Sequence, residues 1–403
     1  MNSFRVAGGS PRWRVADLPL ELGLCLPCPL VNLSTGQLVL PSGQLANRST
    51  DQLVTQSIQS SIQSSPPSSV IDILPSPPRN TFNAMKLRKL GHSDLHLTPV
   101  GLGTWAMGGP DWKFGWGPQD DALSIRTIHE ALALGINWID TAAVYGLGHS
   151  EKVVGKALKE IKGARPFIST KCERCWDENG QIIPRLKRAS VRQEIEDSLS
   201  RLGIDTIDMY QIHWPQPDED IEEGWAAIAE LIKEGKVRHA GVSNFSVAQL
   251  KRIQSIHPVT FLQPPYSLLA RGIENEILPY CEANDIGIIA YSPMQKGLLS
   301  GKVTRAWTNA LPENDHRRAD PQFVEPLLTK NIEFTKALAE IGQRYGRNTA
   351  ELAIAWVLRK TRLTAAIVGA RKPGQLKETV GGGKFEIKPD DLAKIELLLT
   401  IRG

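Results

Sequence analysis

Four proton-active side chains stand at intervals suited to a single reaction: Asp140, Tyr145, Lys171 and His213. A tyrosine hydroxyl, with an ordinary pKa of about 10, is a weak acid at neutral pH unless its phenolate is stabilised. A lysine ammonium beside it favours the phenolate, and a carboxylate holds that ammonium charged and in place. Tyr145, Lys171 and Asp140 can fill those roles, and His213 can donate a hydrogen bond that orients and polarises a carbonyl. Taken singly, each has a plainer explanation: a strand-end Asp or Lys is usually solvated, and a lone His or Tyr at a rim usually packs. The chemical reading rests on the set.

The pattern between these residues says what could bring them together. From residue 99 onward, short apolar runs alternate with amphipathic stretches, the mark of repeated βα units. Strands are predicted at 100–105, 136–140, 166–171, 207–213, 239–243, 261–264, 286–290 and 365–368. Three- and four-residue apolar spacing predicts helices at 121–134, 191–202, 221–233, 249–256, 273–283 and 332–344. Eight strands with helical returns imply an α/β fold of the (β/α)8 TIM-barrel kind. An open doubly wound sheet is the alternative, but no G-x-G-x-x-G follows the first strand. In a barrel the catalytic groups come from the C-terminal ends of strands. Asp140, Lys171 and His213 each end a predicted strand, and Tyr145 lies in the loop before a helix that Ser150 would cap.

Composition narrows the class of partner. The 403 residues could hold two average domains or one barrel, and 41% apolar with 22% charged residues suits a globular enzyme. The net charge of +4 comes without a basic run, which argues against nucleic-acid or lipid partners and for a small molecule. No stretch approaches about 20 uninterrupted apolar residues, so neither a membrane span nor a signal peptide is expected, and the location expected is cytoplasmic. The five cysteines, Cys25, Cys28, Cys172, Cys175 and Cys281, are too few and odd in number for a disulfide framework. Cys25/Cys28 and Cys172/Cys175 have C-x-x-C spacing that two pairs could use for one zinc, but chance spacing of free thiols is the preferred reading, and no metal is expected.

Residues 1–84 differ from the rest: they contain no lysine and are rich in Ser, Gln and Pro, as in the tract Ser57 to Pro67. Such a segment is predicted to be a disordered, low-complexity extension. A misassigned start with Met85 as initiator, an organelle transit segment and a regulatory tail are the competing explanations. The barrel is expected to occupy 85–403.

Extended strings carry a family resemblance over essentially all of 85–401: Gly101-Leu-Gly-Thr-Trp105, Asp140-Thr-Ala-Ala-Val-Tyr-Gly146 with Ser150-Glu151, Gly241-Val-Ser-Asn-Phe-Ser246 and Gln263-Pro-Pro-Tyr-Ser267. These resemble the aldo-keto reductase superfamily. Tyr210-Gln-Ile-His-Trp-Pro215 and Gly369-Ala-Arg-Lys-Pro-Gly-Gln-Leu376 are most similar to its bacterial general stress protein type. The resemblance implies NADPH-dependent carbonyl reduction, with the family's tetrad falling on Asp140, Tyr145, Lys171 and His213.

It also implies a cofactor site. Ser243, Asn244 and Gln263 fall on positions that hold the nicotinamide carboxamide, and Tyr291 on the aromatic ring stacked beneath it. Ser292, Pro293, Met294, Gln295, Lys296 and Lys302 form the segment along the pyrophosphate, with Arg317 in a loop that folds over the cofactor. Gly369, Arg371, Gln375 and Glu378 fall at the adenosine end, with a helix N-terminus just beyond. Thr104, Trp105 and Asp140 are also implied as cofactor contacts. Arg371, followed by Lys372, is the reason for choosing NADPH over NADH, since a 2′-phosphate is best met by cations. Thr379 departs from the asparagine that many relatives carry there.

Two readings compete. A cofactor-binding regulatory subunit of the same superfamily would turn over slowly, although no partner-binding segment is evident. A barrel lyase or hydrolase would make Lys171 a nucleophile, or would need a ligand cluster that the sequence lacks. Trp105, Trp112, Trp116 and Trp214 are expected to line an aromatic mouth suited to small aldehydes, dicarbonyls or aryl carbonyls. The sequence sets no oligomeric state.

Overall fold

The computed structural model describes residues 85–110, 112–313 and 315–403. The expectations for residues 1–84, including the Cys25/Cys28 pair, lie outside them.

The described chain opens with a two-stranded antiparallel hairpin, β1 (Arg88–Lys89) and β2 (His96–Leu97). The barrel strands follow: β3 (Val100–Gly103), β4 (Trp138–Asp140) and β5 (Phe167–Cys172). A second antiparallel hairpin, β6 (Arg174–Trp176) and β7 (Ile182–Pro184), interrupts the sequence before β8 (Ile207–Ile212). Then come β9 (Val237–Ser243), β10 (Phe261–Gln263), β11 (Gly287–Ala290) and β12 (Leu363–Gly369). Eight of these, β3, β4, β5, β8, β9, β10, β11 and β12, pair in parallel and close into a barrel. All eight predicted strands are present, and closure excludes the open sheet.

Helices α1 (Asp121–Ala133), α2 (His149–Glu160), α3 (Arg188–Leu202), α4 (Ile221–Lys233), α5 (Val247–Gln254) and α6 (Ile277–Ala283) each return the chain to the next barrel strand. Between β11 and β12 lie a short α7 (Arg305–Asn309), then α8 (Leu327–Gln343) and α9 (Thr349–Leu358), and α10 (Pro389–Arg402) ends the chain. Helices α9 and α10 are additional to the helices that apolar spacing predicts. Every residue of α9 is buried, so it shows no polar face to read.

Two cores hold this frame. One fills the barrel: Leu90, Leu95 and Leu97 of the N-terminal hairpin plug its floor against Trp138, Met209, Phe261 and Ile289. The Trp138 ring lies on the backbone of Gly101, where a Cβ would come within 2.0 Å of it, so only glycine fits beneath that indole. The other core joins the outer face of the strands to the helices, with Trp225, Trp356, Tyr210 and Tyr266 its largest side chains. The N-terminal faces of the strands are therefore sealed and the C-terminal mouth is left for the site, as in other barrels.

Two local expectations need correction. Ser150 does not cap α2: Gly148, at φ 93°, holds the cap position, and Ser150 sits inside the first turn. Its hydroxyl turns instead to Thr104, where its one proton meets Oγ1 at 2.8 Å with the carbonyl 3.1 Å away. No α-helix begins near Pro373. The chain runs there through turns into the short 3-10 segments Leu376–Glu378 and Val380–Gly383, too brief to present a helix dipole to a phosphate.

Candidate active site

Asp140 ends β4, Lys171 is the penultimate residue of β5, and His213 follows β8. Tyr145 stands in the turn after β4, buried to 7% exposure. Parallel registration of β4 beside β5 places Asp140 next to Ser169 and turns Lys171 onto the carboxylate. Lys171 Nζ is fully enclosed and spends its three protons on Asp140 Oδ2 at 2.7 Å, the Thr141 carbonyl at 2.8 Å and Tyr145 Oη at 3.2 Å. An ammonium has three donors, so none is left over. That arrangement removes the reading of Lys171 as a nucleophile, which needs a free amine open to substrate.

Asp140 is held from its other side as well. Ser169 Oγ donates to Oδ1 at 3.2 Å and Gln263 Nε2 to the same oxygen at 2.8 Å. Ser169 is in turn fixed by Gln211 Nε2 at 3.0 Å. His213 meets the Tyr145 ring edge-on at 5.8 Å between centroids, and its Nδ1 finds no partner among the described residues. Burial and the nearby Lys171 and Arg174 charges hold the imidazole well below its usual pKa, so it is neutral at pH 7.

Tyr145 departs from the expectation. Burial, followed by the Asp140 carboxylate, pushes its hydroxyl well above the ordinary value, and the Lys171 ammonium does not reverse this. The tyrosine therefore keeps its proton at neutral pH. Lys171 donates to Oη, which leaves the phenolic proton itself free to be offered elsewhere.

One cavity of about 1380 Å³ opens at this end of the barrel. That exceeds the roughly 300–1,000 Å³ of ordinary ligand sites, enough for a dinucleotide and a second small molecule together. Asp140, Tyr145 and His213 line it, while Lys171 stands behind them. All four expected tryptophans, Trp105, Trp112, Trp116 and Trp214, are in its wall, and Trp105 stacks on Tyr145 at 5.9 Å and 16°.

Most of the residues implied for a cofactor line the same cavity. Ser243, Asn244, Gln263 and Tyr291 cluster beside Asp140: Tyr291 Oη donates to Asn244 Oδ1 at 3.0 Å, and Ser243 Oγ to the Gln263 carbonyl at 2.8 Å. Ser292, Pro293, Met294 and Lys296 continue the wall, followed by Lys302. Ser292, Gln295 and Lys296 take positive φ of 53°, 48° and 54° ahead of Gly297 at 92°, a tight winding closed by the Gln295 N–H on the Ser292 carbonyl at 2.9 Å and the Gly297 N–H on the Met294 carbonyl at 3.1 Å. Gly369, Gln375 and Glu378 form the far end, where Lys302 pairs with Glu378. Arg317 lies over the Trp116 and Trp307 rings at 4.7 and 4.9 Å and pairs with Asp315 at 2.6 Å. His316 beside it stacks on Trp105, so this loop covers the rim.

Three implied contacts are not in the wall. Thr104 is buried beneath it and bonds the Asp140 carbonyl at 3.1 Å. Gln295 turns away to accept from Ser267 Oγ at 3.0 Å. Arg371 is tied sideways to Gln119 Oε1 at 3.0 Å and the Pro118 carbonyl at 2.5 Å, while its backbone N–H meets Gln375.

Several wall residues were not anticipated. Arg174 and the hairpin turn Asn179-Gly180-Gln181 come from β6–β7, whose strands are too short to register as periodic. Asn348 lines the far end and also caps α9 in a capping box with Glu351. The sequence Asn-x-x-Glu before an apolar run is a signal that could have found it. Cys172 is buried and Cys175 partly so, both as free thiols that burial pushes up, Cys175 to about 12. Among the described residues no group of His, Cys, Asp or Glu could hold a metal, and no helix is long and apolar enough to cross a membrane.

A closed parallel barrel with a buried Asp–Lys–Tyr cluster at its C-terminal mouth defines a class of carbonyl oxidoreductase, and known proteins agree. Residues 99–399 match the model of the aldo/keto reductase family, to which this chain belongs. It is therefore an oxidoreductase. The chain is 40% identical over 317 residues to aldo-keto reductase YhdN of Bacillus subtilis, covering 78% of this chain and 94% of that one. It is 36% identical over 320 residues to the NADH-specific methylglyoxal reductase of Escherichia coli, covering 76% and 96%. Among solved structures, the glycerol dehydrogenase AKR11B4 of Gluconobacter oxydans aligns with a TM-score of 0.72 at 37% identity, covering 79% of this chain and 96% of that one.

Proposed function

We propose that this enzyme reduces aldehydes or ketones to alcohols with NADPH, Tyr145 acting as the general acid. The observation that carries this reading is the enclosed Lys171 ammonium bridging Asp140 and Tyr145 at 2.7 and 3.2 Å beside a neutral His213.

The fit of a nicotinamide is supported by the donor set. Ser243, Asn244 and Gln263 offer hydroxyl and amide groups next to Asp140, Tyr291 lies in the same wall, and Lys296 and Lys302 stand along the stretch of wall that would face the phosphates. When bound, a reduced nicotinamide supplies the hydride. A substrate carbonyl oxygen is received between Tyr145 Oη and His213, whose neutral imidazole donates one hydrogen bond and polarises the carbon. Tyr145 then releases its phenolic proton to the developing alkoxide. Its raised pKa is no obstacle, because an alkoxide is far more basic than a phenolate. Lys171 steadies the phenolate left behind, and Asp140 keeps Lys171 in register. The tryptophans exclude water and favour small aldehydes, dicarbonyls or aryl carbonyls.

The choice of NADPH rests on Arg371 beside the Gly369–Gln375 wall, set against a relative named as NADH-specific. Arg371 must leave Gln119 and Pro118 to meet a 2′-phosphate, and the lost bonds offset part of the contact. Arg371→Ala is expected to raise the Kd for NADPH by about tenfold relative to that for NADH, the low end for a charge-assisted contact. Fluorescence titration of both cofactors checks this, with the Arg371/Lys372 double alanine variant alongside. An unchanged ratio in both variants removes the support for NADPH. The function as a whole is tested by NADPH and NADH oxidation across a panel of aldehydes. Absence of turnover with every one would reject it.

A further inference from the structure

The substrate half of the cavity has a polar character that carbonyl reduction does not require. Around Tyr145 and His213 the wall carries two cations, Arg174 and Lys113, between aromatic rings. Arg174 lies over the Trp214 ring at 5.6 Å, and Lys113 over Phe114 at 5.6 Å. The indole nitrogens of Trp112 and Trp116, in the same wall, are buried and find no partner among the described residues. Arginine, lysine and indole N–H groups can only donate hydrogen bonds.

Carboxylates facing them are scarce among the described residues: the cavity wall holds only Asp140 and, at its far end, Glu378. Asp140 is committed to Lys171, Ser169 and Gln263. Arg174 touches one carboxyl, Glu173 Oε2 at 3.2 Å, and Gln216 Oε1 at 2.9 Å. Glu173 is fully enclosed, its Oε1 has no partner and Glu194 stands close behind it. These contacts use Nε and one proton of Nη2, and no further hydrogen bond of the guanidinium is found among the described residues, while burial that lifts the Glu173 carboxyl to about 9 weakens its hold on the cation. The same charge already bears on His213.

Resting on the carbonyl-reductase reading above, we infer that the substrate site selects carbonyl compounds that also carry a carboxylate, with Arg174 as the residue that receives it and the indole N–H groups as auxiliary donors. An aromatic wall with a cation at its edge suits a flat or short-chain carbonyl acid. A guanidinium meets a carboxylate with two parallel bonds, which an uncharged group cannot replace.

The test compares 4-carboxybenzaldehyde with 4-methylbenzaldehyde, two aldehydes of like shape that differ in charge. In the wild type kcat/KM should favour the carboxylate by about tenfold or more, the worth of one charge-assisted contact, and the preference should shrink as salt is raised. In Arg174→Met the ratio should collapse toward unity, and Arg174→Lys should restore part of it. Both substrates are read on one sample, so the ratio is independent of how much of a variant is folded. Turnover of both aldehydes without preference in the wild type, or a preference that survives Arg174→Met, overturns the inference and leaves carbonyl reduction standing. Turnover of neither overturns both.

Discussion

Tyr145→Phe should lower carbonyl reduction by about 10²–10⁴-fold while leaving the fold and the cofactor affinity nearly as they are. The ring that remains still stacks on Trp105 at 5.9 Å and meets His213 edge-on, so packing is kept and only the hydroxyl is lost. Steady-state turnover, cofactor titration and thermal melting on the same preparation separate these effects. Retention of more than about a tenth of the wild-type rate would rule out Tyr145 as the proton donor. The pH profile offers an independent check. Burial and Asp140 raise the Tyr145 pKa, so the protonated form persists into alkaline solution. Reduction should therefore run flat through neutral pH and decline only when the phenol ionises. A fall beginning below pH 8 would mean another group sets the limit.

The second large effect concerns the pair behind the tyrosine. Lys171→Met should destabilise the fold by about 3–5 kcal/mol and remove most activity, because it leaves the Asp140 carboxylate buried without its counter-ion. Ser169 and Gln263 still donate to that carboxylate, but two neutral bonds do not balance a charge at 3% exposure. Asp140→Asn combined with Lys171→Met should recover part of the loss, since no buried charge remains. Urea denaturation of the wild type, both single variants and the double variant measures the coupling. A loss below about 1 kcal/mol in Lys171→Met would show that the pair is not integral to the fold.

Much of the frame was legible before any coordinates, for reasons particular to its elements. Each barrel strand is a short apolar run bounded by polar turns, and helices such as α4 carry an apolar stripe at three- and four-residue spacing. Helix α9 escaped because it is apolar on every side, and periodicity requires a polar face to contrast with a buried one. The β6–β7 hairpin escaped because three residues cannot establish an alternation of period two. Ser150 looked like a cap by type, yet its hydroxyl found Thr104 across the strand ends, a partner 46 residues away.

For the site, the sequence by itself determined the chemical types and their order: an acid, a phenol, an amine and an imidazole, each at or just past a strand end. Those are local properties of composition and spacing, and they survive folding. Only the tertiary structure decided the rest. It enclosed Lys171 so that all three protons are spent, and it raised rather than lowered the Tyr145 pKa. It turned Arg371 toward Gln119 and brought Arg174 to the cavity wall over Trp214. The physical reason is common to all four. Desolvation and hydrogen-bond competition depend on which distant segments close over a group, and in a barrel those neighbours come from strands and loops tens to hundreds of residues away.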